Sequence, residues 1–251
     1  MTTLNLRNKK IWVTGAAQGI GAEVARQCVE LGADVIGFDR HFDDSYLPYH
    51  CVKLDVTDRT QVNQVAAVLL AQTPQVDVLI NAAGILKTAS FCETSWQDLH
   101  DCFAVNTGGA FNMMQVLYTT FTQQCFGSIV NVSSNAAKVP RVGMAAYCAS
   151  KAALTALSHT VALELAEYGV RCNVVCPGST DTTMLRKLWR DERGRQHTID
   201  GLPEQYKLGI PLKRIADPND IAQTILFFAS DMSRHITIQD IVVDGGATLN
   251  A

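Results

Sequence analysis

Short runs of apolar and β-branched residues alternate with longer segments of helical spacing along the whole chain. The runs are Lys10–Thr14, Asp34–Asp39, Cys51–Val56, Val76–Ala82, Ser128–Ser133, Arg171–Cys176 and Asp240–Val243. Most are continuous rather than alternating, the pattern of parallel strands covered on both faces. Between them the spacing predicts helices over Gly19–Leu31, Arg59–Gln72, Ser95–Gln123, Ala146–Glu167 and Pro218–Ser230. Thr57 or Asp58 is placed to cap the second helix, and Asp217 with Pro218 opens the last. Seven strands alternating with helices predict an α/β fold: a Rossmann-type, doubly wound, parallel seven-stranded sheet with helices on both faces, rather than a closed eight-stranded barrel. With no linker, repeat or low-complexity stretch, residues 1–251 read as a single domain.

The rhythm breaks once. From Ser179 to Leu212 the chain is long, polar and charged, as in Leu185-Arg-Lys-Leu-Trp-Arg-Asp-Glu-Arg-Gly-Arg. A loop of that length in a compact domain is usually functional or mobile. A solvated surface helix is the plain reading. A substrate-covering lid at about 179–212 is favoured, because ligands in open α/β sheets bind outside the carboxyl ends of the strands, where this segment begins.

Composition narrows the classes. Hydrophobic residues make up 47% and charged residues 18%, with a net charge of −3 and no basic run that would track a phosphate backbone. Nucleic-acid binding is not expected. The first ten residues lack the apolar run of a signal peptide, and no apolar stretch reaches the ~18 residues of a membrane helix. A cytoplasmic protein is expected. The eight cysteines are scattered singly, without a Cys-x-x-Cys pair. Cys172 and Cys176, four apart in a strand, would lie about 13 Å apart, too far for one zinc ion. Free thiols in a reducing compartment are expected. The six histidines form no His-x-x-x-His pair, so no metal is expected.

Two stretches carry chemistry. The first strand runs into Thr14-Gly15-Ala-Ala-Gln18-Gly19-Ile20-Gly21 and then a helix. Glycines there allow a tight turn and close backbone approach, and the helix N-terminus offers free N–H groups to a pyrophosphate. Asp39 ends the second strand 18 residues beyond Gly21, where a carboxylate would meet an adenosine ribose. It repels a 2′-phosphate, which argues for NAD over NADP; neighbouring Arg40 argues the other way, and Gln18 leaves the loop uncharged. Further on, Tyr147 and Lys151 stand four apart on a helix, on one face and about 6 Å apart along its axis. An ammonium beside a phenol favours the phenolate. Ser134 lies thirteen residues before the tyrosine. Ser133 is its rival, and strand alternation turns the two to opposite faces.

These motifs, together with Asn81-Ala82-Ala-Gly84, Asn106 and Pro177-Gly178, fall in the order and spacing of the short-chain dehydrogenase/reductase family, which the chain resembles from about Lys9 to Gly246. The resemblance implies Tyr147 as general acid/base. Lys151 would lower its pKa and bind the nicotinamide ribose, Ser134 would orient the substrate oxygen, and Asn106 would hold a relay water. It also implies adenine contacts from Asp55 and Val56, bracing of the cofactor strand by Asn81, a carboxamide contact from Thr182, and further cofactor contacts from Ile20, Ala82, Gly84 and Thr180. Homodimers or homotetramers are typical of such relatives. Local sequences such as Pro140-Arg141-Val-Gly-Met144 and Gln205-Tyr-Lys-Leu-Gly-Ile-Pro211 resemble members acting on an anionic cyclohexadiene-diol carboxylate. Arg141, six residues before Tyr147, is the first choice for the carboxylate, with Lys87 and Arg186 as alternatives. Met144 and Met184 would line the ring. A 3-oxoacyl-carrier-protein reductase of the same family is the nearest rival reading, and a catalytically silent dinucleotide sensor a remoter one.

Overall fold

Strand β1 (Lys10–Thr14) lies inside a parallel sheet, and its side chains alternate between two cores. Ile11 and Val13 pack on one face, Trp12 on the other. The same division repeats in β4 (Val78–Asn81), where Val78 and Ile80 oppose Leu79. A continuous apolar run is therefore two period-2 faces, each needing its own cover. In this computed structural model, residues 4–43, 46–189 and 191–249 are described.

Helices α1 (Gly19–Glu30) and α8 (Pro218–Ala229) cover the first face through Val24, Ala25, Ile221 and Ile225. Helices α2 (Arg59–Gln72), α4 (Ala110–Gln124) and α5 (Ala145–Leu165) cover the second through Val62, Leu117, Phe121 and Leu154. With β2 (Asp34–Asp39), β3 (His50–Lys53), β5 (Gly127–Val132), β6 (Val170–Pro177) and β7 (Asp240–Val243), the order is β3-β2-β1-β4-β5-β6-β7, every neighbouring pair parallel. The expected doubly wound seven-stranded sheet is the observed one. Its direction of winding reverses between β1 and β4.

Three expectations change in detail. The third strand ends at Lys53 rather than Val56, because the Asp55 carboxylate accepts from both the N–H and the hydroxyl of Thr57 and turns the chain. Asp58, not Thr57, caps α2, accepting from the Gln61 N–H at 3.0 Å. The helix expected over Ser95–Gln123 is α3 (Trp96–Phe103) and α4 joined by a π-helical turn, Ala104–Gly109.

The insertion after β6 is not structureless. It carries α6 (Thr183–Arg186) and α7 (Gly194–Asp200), and a parallel bridge pairs Thr180 with Ala216. Ile199, Ile210 and Ile215 form a small core of its own with Leu185 and Trp189. Among the described residues, no helix is long and apolar enough to cross a membrane, and no cluster of three or more His, Cys, Asp or Glu could hold a metal.

Candidate active site

Where the winding reverses, two cavities open beyond the carboxyl ends of the strands, as expected of an open α/β sheet. They share Ile20, Ala82, Gly84, Thr182 and Met184, so they form one cleft. The larger part, about 350 Å³, follows Gly15, Gln18 and Gly19 to Asp39, Asp55 and Val56. The other, about 170 Å³, is lined by Ser134, Arg141, Met144, Tyr147 and Lys151, and by Pro177, Gly178 and Thr180 on the opposite wall.

The turn between β1 and α1 is packed too tightly for side chains. A Cβ on Gly21 would come within 2.1 Å of the Gly15 carbonyl oxygen. α2, α3 and α8 are capped by Asp58, Ser95 and Asp217, whereas Gln18 at the start of α1 makes no side-chain cap. The first N–H groups of α1 thus remain available at the cleft. Asp39 closes the far end: its carboxylate accepts from the N–H of Ala17 at 3.0 Å and of Arg40 at 2.7 Å. The Arg40 guanidinium lies 3.8 Å from Asp55, which offsets its charge. Tyr49 supports the turn from behind, donating its hydroxyl to the Ala16 carbonyl at 2.6 Å. Nothing in the local sequence around Tyr49 signals that role.

Two residues of the cofactor motif face inward instead of lining the cleft. Buried Thr14 accepts from the N–H groups of Ala82 and Ala83, each at 3.2 Å. Buried Asn81 donates to Asn131 at 2.8 Å, bracing β4 against β5. Both shape the cleft through the backbone that they hold.

Both serines border the smaller cavity, but their side chains make different contacts. Ser133 turns to α5, pairing with the Lys151 carbonyl and with Thr155, each at 3.0 Å. Ser134 faces the cavity beside Tyr147 and accepts from the Ala136 N–H at 3.1 Å. Asn106 sits in the π-turn and lines neither cavity. Its amide donates to the Ile85 carbonyl at 3.0 Å and to Ser150 at 2.9 Å, and its oxygen accepts from the Ile85 N–H at 2.8 Å. It clamps the segment after β4 onto α5, next to the tyrosine.

Burial dominates the electrostatics of the tyrosine and the lysine. Burial pushes the Tyr147 phenol up to about 12, with neighbouring Ser134 pulling the other way. Burial likewise pushes the Lys151 ammonium down to about 8. The ammonium donates to the Val132 carbonyl at 2.7 Å and stays 6.0 Å from the centre of the tyrosine ring. Helical spacing brings the pair together, and burial is the largest cause of the shift of each.

The candidate cations sort clearly. Arg141 is half-buried in the reaction cavity, where burial lowers its pKa from the ordinary value. Lys87 instead bridges Asp98 at 3.3 Å and Asp101 at 3.6 Å, outside both cavities. Arg186 pairs with Asp181 at 2.7 Å in a surface groove that adjoins the glycine turn at Gly19 and Thr182, away from Tyr147. Local carboxylates already pair with both, and neither lines the cavity that holds Arg141 and Tyr147. The insertion does reach the cleft, through Met184, Leu185, Leu188 and Lys207. Of these, Lys207 was not singled out from the sequence, since nothing local distinguishes it from the other charges of that stretch.

A family model described as Enoyl-(Acyl carrier protein) reductase matches residues 15–248. The chain is 53% identical, over 99% of its length and 100% of the relative's, to the 2,3-dihydro-2,3-dihydroxybenzoate dehydrogenase of Escherichia coli (strain K12). It is 39% identical, over 99% of both chains, to the enzyme of the same name from Bacillus subtilis (strain 168). Among solved structures, the aldohexose dehydrogenase of Thermoplasma acidophilum superposes with a TM-score of 0.89 at 30% identity, covering 98% of this chain and 96% of that one.

Proposed function

The chain belongs to the short-chain dehydrogenase/reductase family, and we propose that it oxidises 2,3-dihydro-2,3-dihydroxybenzoate to 2,3-dihydroxybenzoate with NAD, a step of catecholate siderophore biosynthesis. The observation that carries this reading is the placement of Arg141 and Tyr147 in one small cavity, continuous with the glycine turn. A guanidinium half-buried there suits a compact carboxylate better than a carrier-bound thioester.

The cleft fits a dinucleotide. Uncapped N–H groups of α1 would meet the pyrophosphate, Asp39 the adenosine ribose, Asp55 and Val56 the adenine, and Thr182, across from Gly19, the nicotinamide end. A fixed carboxylate at Asp39, and an Arg40 already offset by Asp55, favour NAD over NADP. Bound NAD supplies a hydride acceptor. Tyr147, as phenolate, takes the proton from the C3 hydroxyl of the substrate, while Ser134 orients the oxygen and Arg141 holds the carboxylate. Lys151 keeps a positive charge beside the phenol, and Asn106 positions the helix that carries both. The resulting dienone tautomerises to a catechol, and aromatisation drives the reaction forward. Burial raises the phenol, and a positive charge beside it favours the phenolate against that cost.

Further support bears on setting. All eight cysteines are free thiols, in keeping with a cytoplasmic enzyme. Exposed Phe103, Phe111 and Tyr118 on α3 and α4, and Leu163 on α5, suit a homodimer or homotetramer. The test is nicotinamide reduction with NAD and 2,3-dihydro-2,3-dihydroxybenzoate. Tyr147→Phe is expected to lose most turnover, about 100-fold or more, while binding NAD as wild type does. Near-normal turnover in that variant would sink the assignment.

A further inference from the structure

The reaction cavity holds a second cation that the chemistry above does not use. Lys207 lies in the insertion between β6 and α8, far from Arg141 along the chain. Both line the reaction cavity, and both line a smaller one of about 40 Å³, as do Asn135 and Ser179. Among the described residues, no acidic group bonds to either side chain. The carboxylate that acts on Arg141 belongs to Asp244, whose oxygens are taken up by Asn135, Thr248 and the N–H groups of Gly246 and Ala247. Burial lowers the pKa of each cation, and the charge of Arg141 lowers that of Lys207 further.

The backbone of Lys207 is fixed in place. Its N–H donates to the Leu202 carbonyl at 3.1 Å, and its carbonyl accepts from the Leu202 N–H at 2.9 Å, closing a turn around Pro203–Gln205. Gly201 packs beneath: a Cβ there would come within 2.3 Å of the Lys207 carbonyl oxygen, and its φ of +93° is one that other residues rarely adopt. The turn is anchored by Ile199 and Ile210 of the small core. Two like charges held together, half-buried and without an acidic partner, are unfavourable unless an anion joins them. Met144, Leu185 and Leu188 make the adjacent wall apolar, as an aromatic-sized ring requires.

We infer that Lys207 joins Arg141 in a two-cation clamp for the substrate carboxylate, so that the insertion determines specificity for an acidic ring. The inference rests on the proposed dihydrodiol oxidation for the identity of that ring. Lys207→Gln is expected to raise KM for 2,3-dihydro-2,3-dihydroxybenzoate about 10- to 100-fold. KM for NAD, and kcat/KM for the cyclohexadiene diol lacking the carboxylate, should stay near wild-type values. Lys207→Arg should recover most of the loss, and Lys207→Met provides a second neutral variant. Equal effects on both diols, or none on either, would overturn the clamp.

Calorimetric titration with 2,3-dihydroxybenzoate and with catechol separates the two ideas. Wild type should prefer the carboxylate, and the preference should shrink in Lys207→Gln. If wild type turns over neither diol yet shows this pattern, the assigned reaction fails and the clamp stands. If the carboxylate diol is oxidised but the preference is undiminished in the variant, the clamp fails and the reaction stands.

Discussion

Tyr147 and Lys151 show how burial and charge compete at a single helical turn. Lys151 loses more from desolvation than it gains from its surroundings, which leaves it near 8 instead of 10.5. Below about 8 it is charged in both the folded and unfolded states, so the whole cost of burying the charge is present. Between about 8 and 10.5 the unfolded lysine holds a proton that the folded one has released, and stability rises with pH. The gain is on the order of 3 kcal/mol. Lys151→Met lacks it, so the Tm of wild type minus that of the variant should increase from pH 8 to 10.5 in paired thermal melts. A constant difference would mean that Lys151 titrates as an ordinary lysine. The spacing of the two residues was legible in the sequence. The direction of the tyrosine's shift was not, because it depends on what β5, β6 and the insertion pack around it.

Among the elements, the glycine turn and the π-turn do comparable work by different means. The glycine turn is a local device: without side chains, it brings the start of α1 against the end of β1. Gly21→Ala would drive a Cβ into the Gly15 carbonyl at 2.1 Å, a backbone contact that cannot yield easily. The expected result is a loss of about 1–3 kcal/mol in stability and a tenfold or larger rise in the Kd for NAD. Thermal unfolding and fluorescence titration measure both, and wild-type NAD affinity would show that the turn tolerates a side chain. The π-turn, by contrast, reads in sequence as uninterrupted helix. Its extra residue per turn is recognised only by where it puts Asn106, hydrogen-bonded to Ile85 on one side and Ser150 on the other.

For the whole molecule, the sheet order brings the glycine turn, the tyrosine helix and the insertion to one cleft, so cofactor binding should stabilise the entire fold. NAD at about 100 times its Kd adds about 2.7 kcal/mol, which corresponds to a Tm rise of roughly 5–10 °C for a domain of this size. NADP at the same concentration should give a clearly smaller rise, because Asp39 faces the 2′-phosphate. Equal shifts would remove the argument for NAD. The strands were legible from the chain alone, because their apolar runs need cover on both faces. So were the glycine turn and the Tyr147/Lys151 spacing, because each is a local pattern acting through a few consecutive residues. Which cations line the cavity depends instead on how distant segments pack. Lys87, Arg186 and Lys207 are alike as letters, yet the first two meet nearby carboxylates while the third is carried by its turn to Arg141. Cavity membership and desolvation arise from contacts between segments distant along the chain, and no local pattern records them.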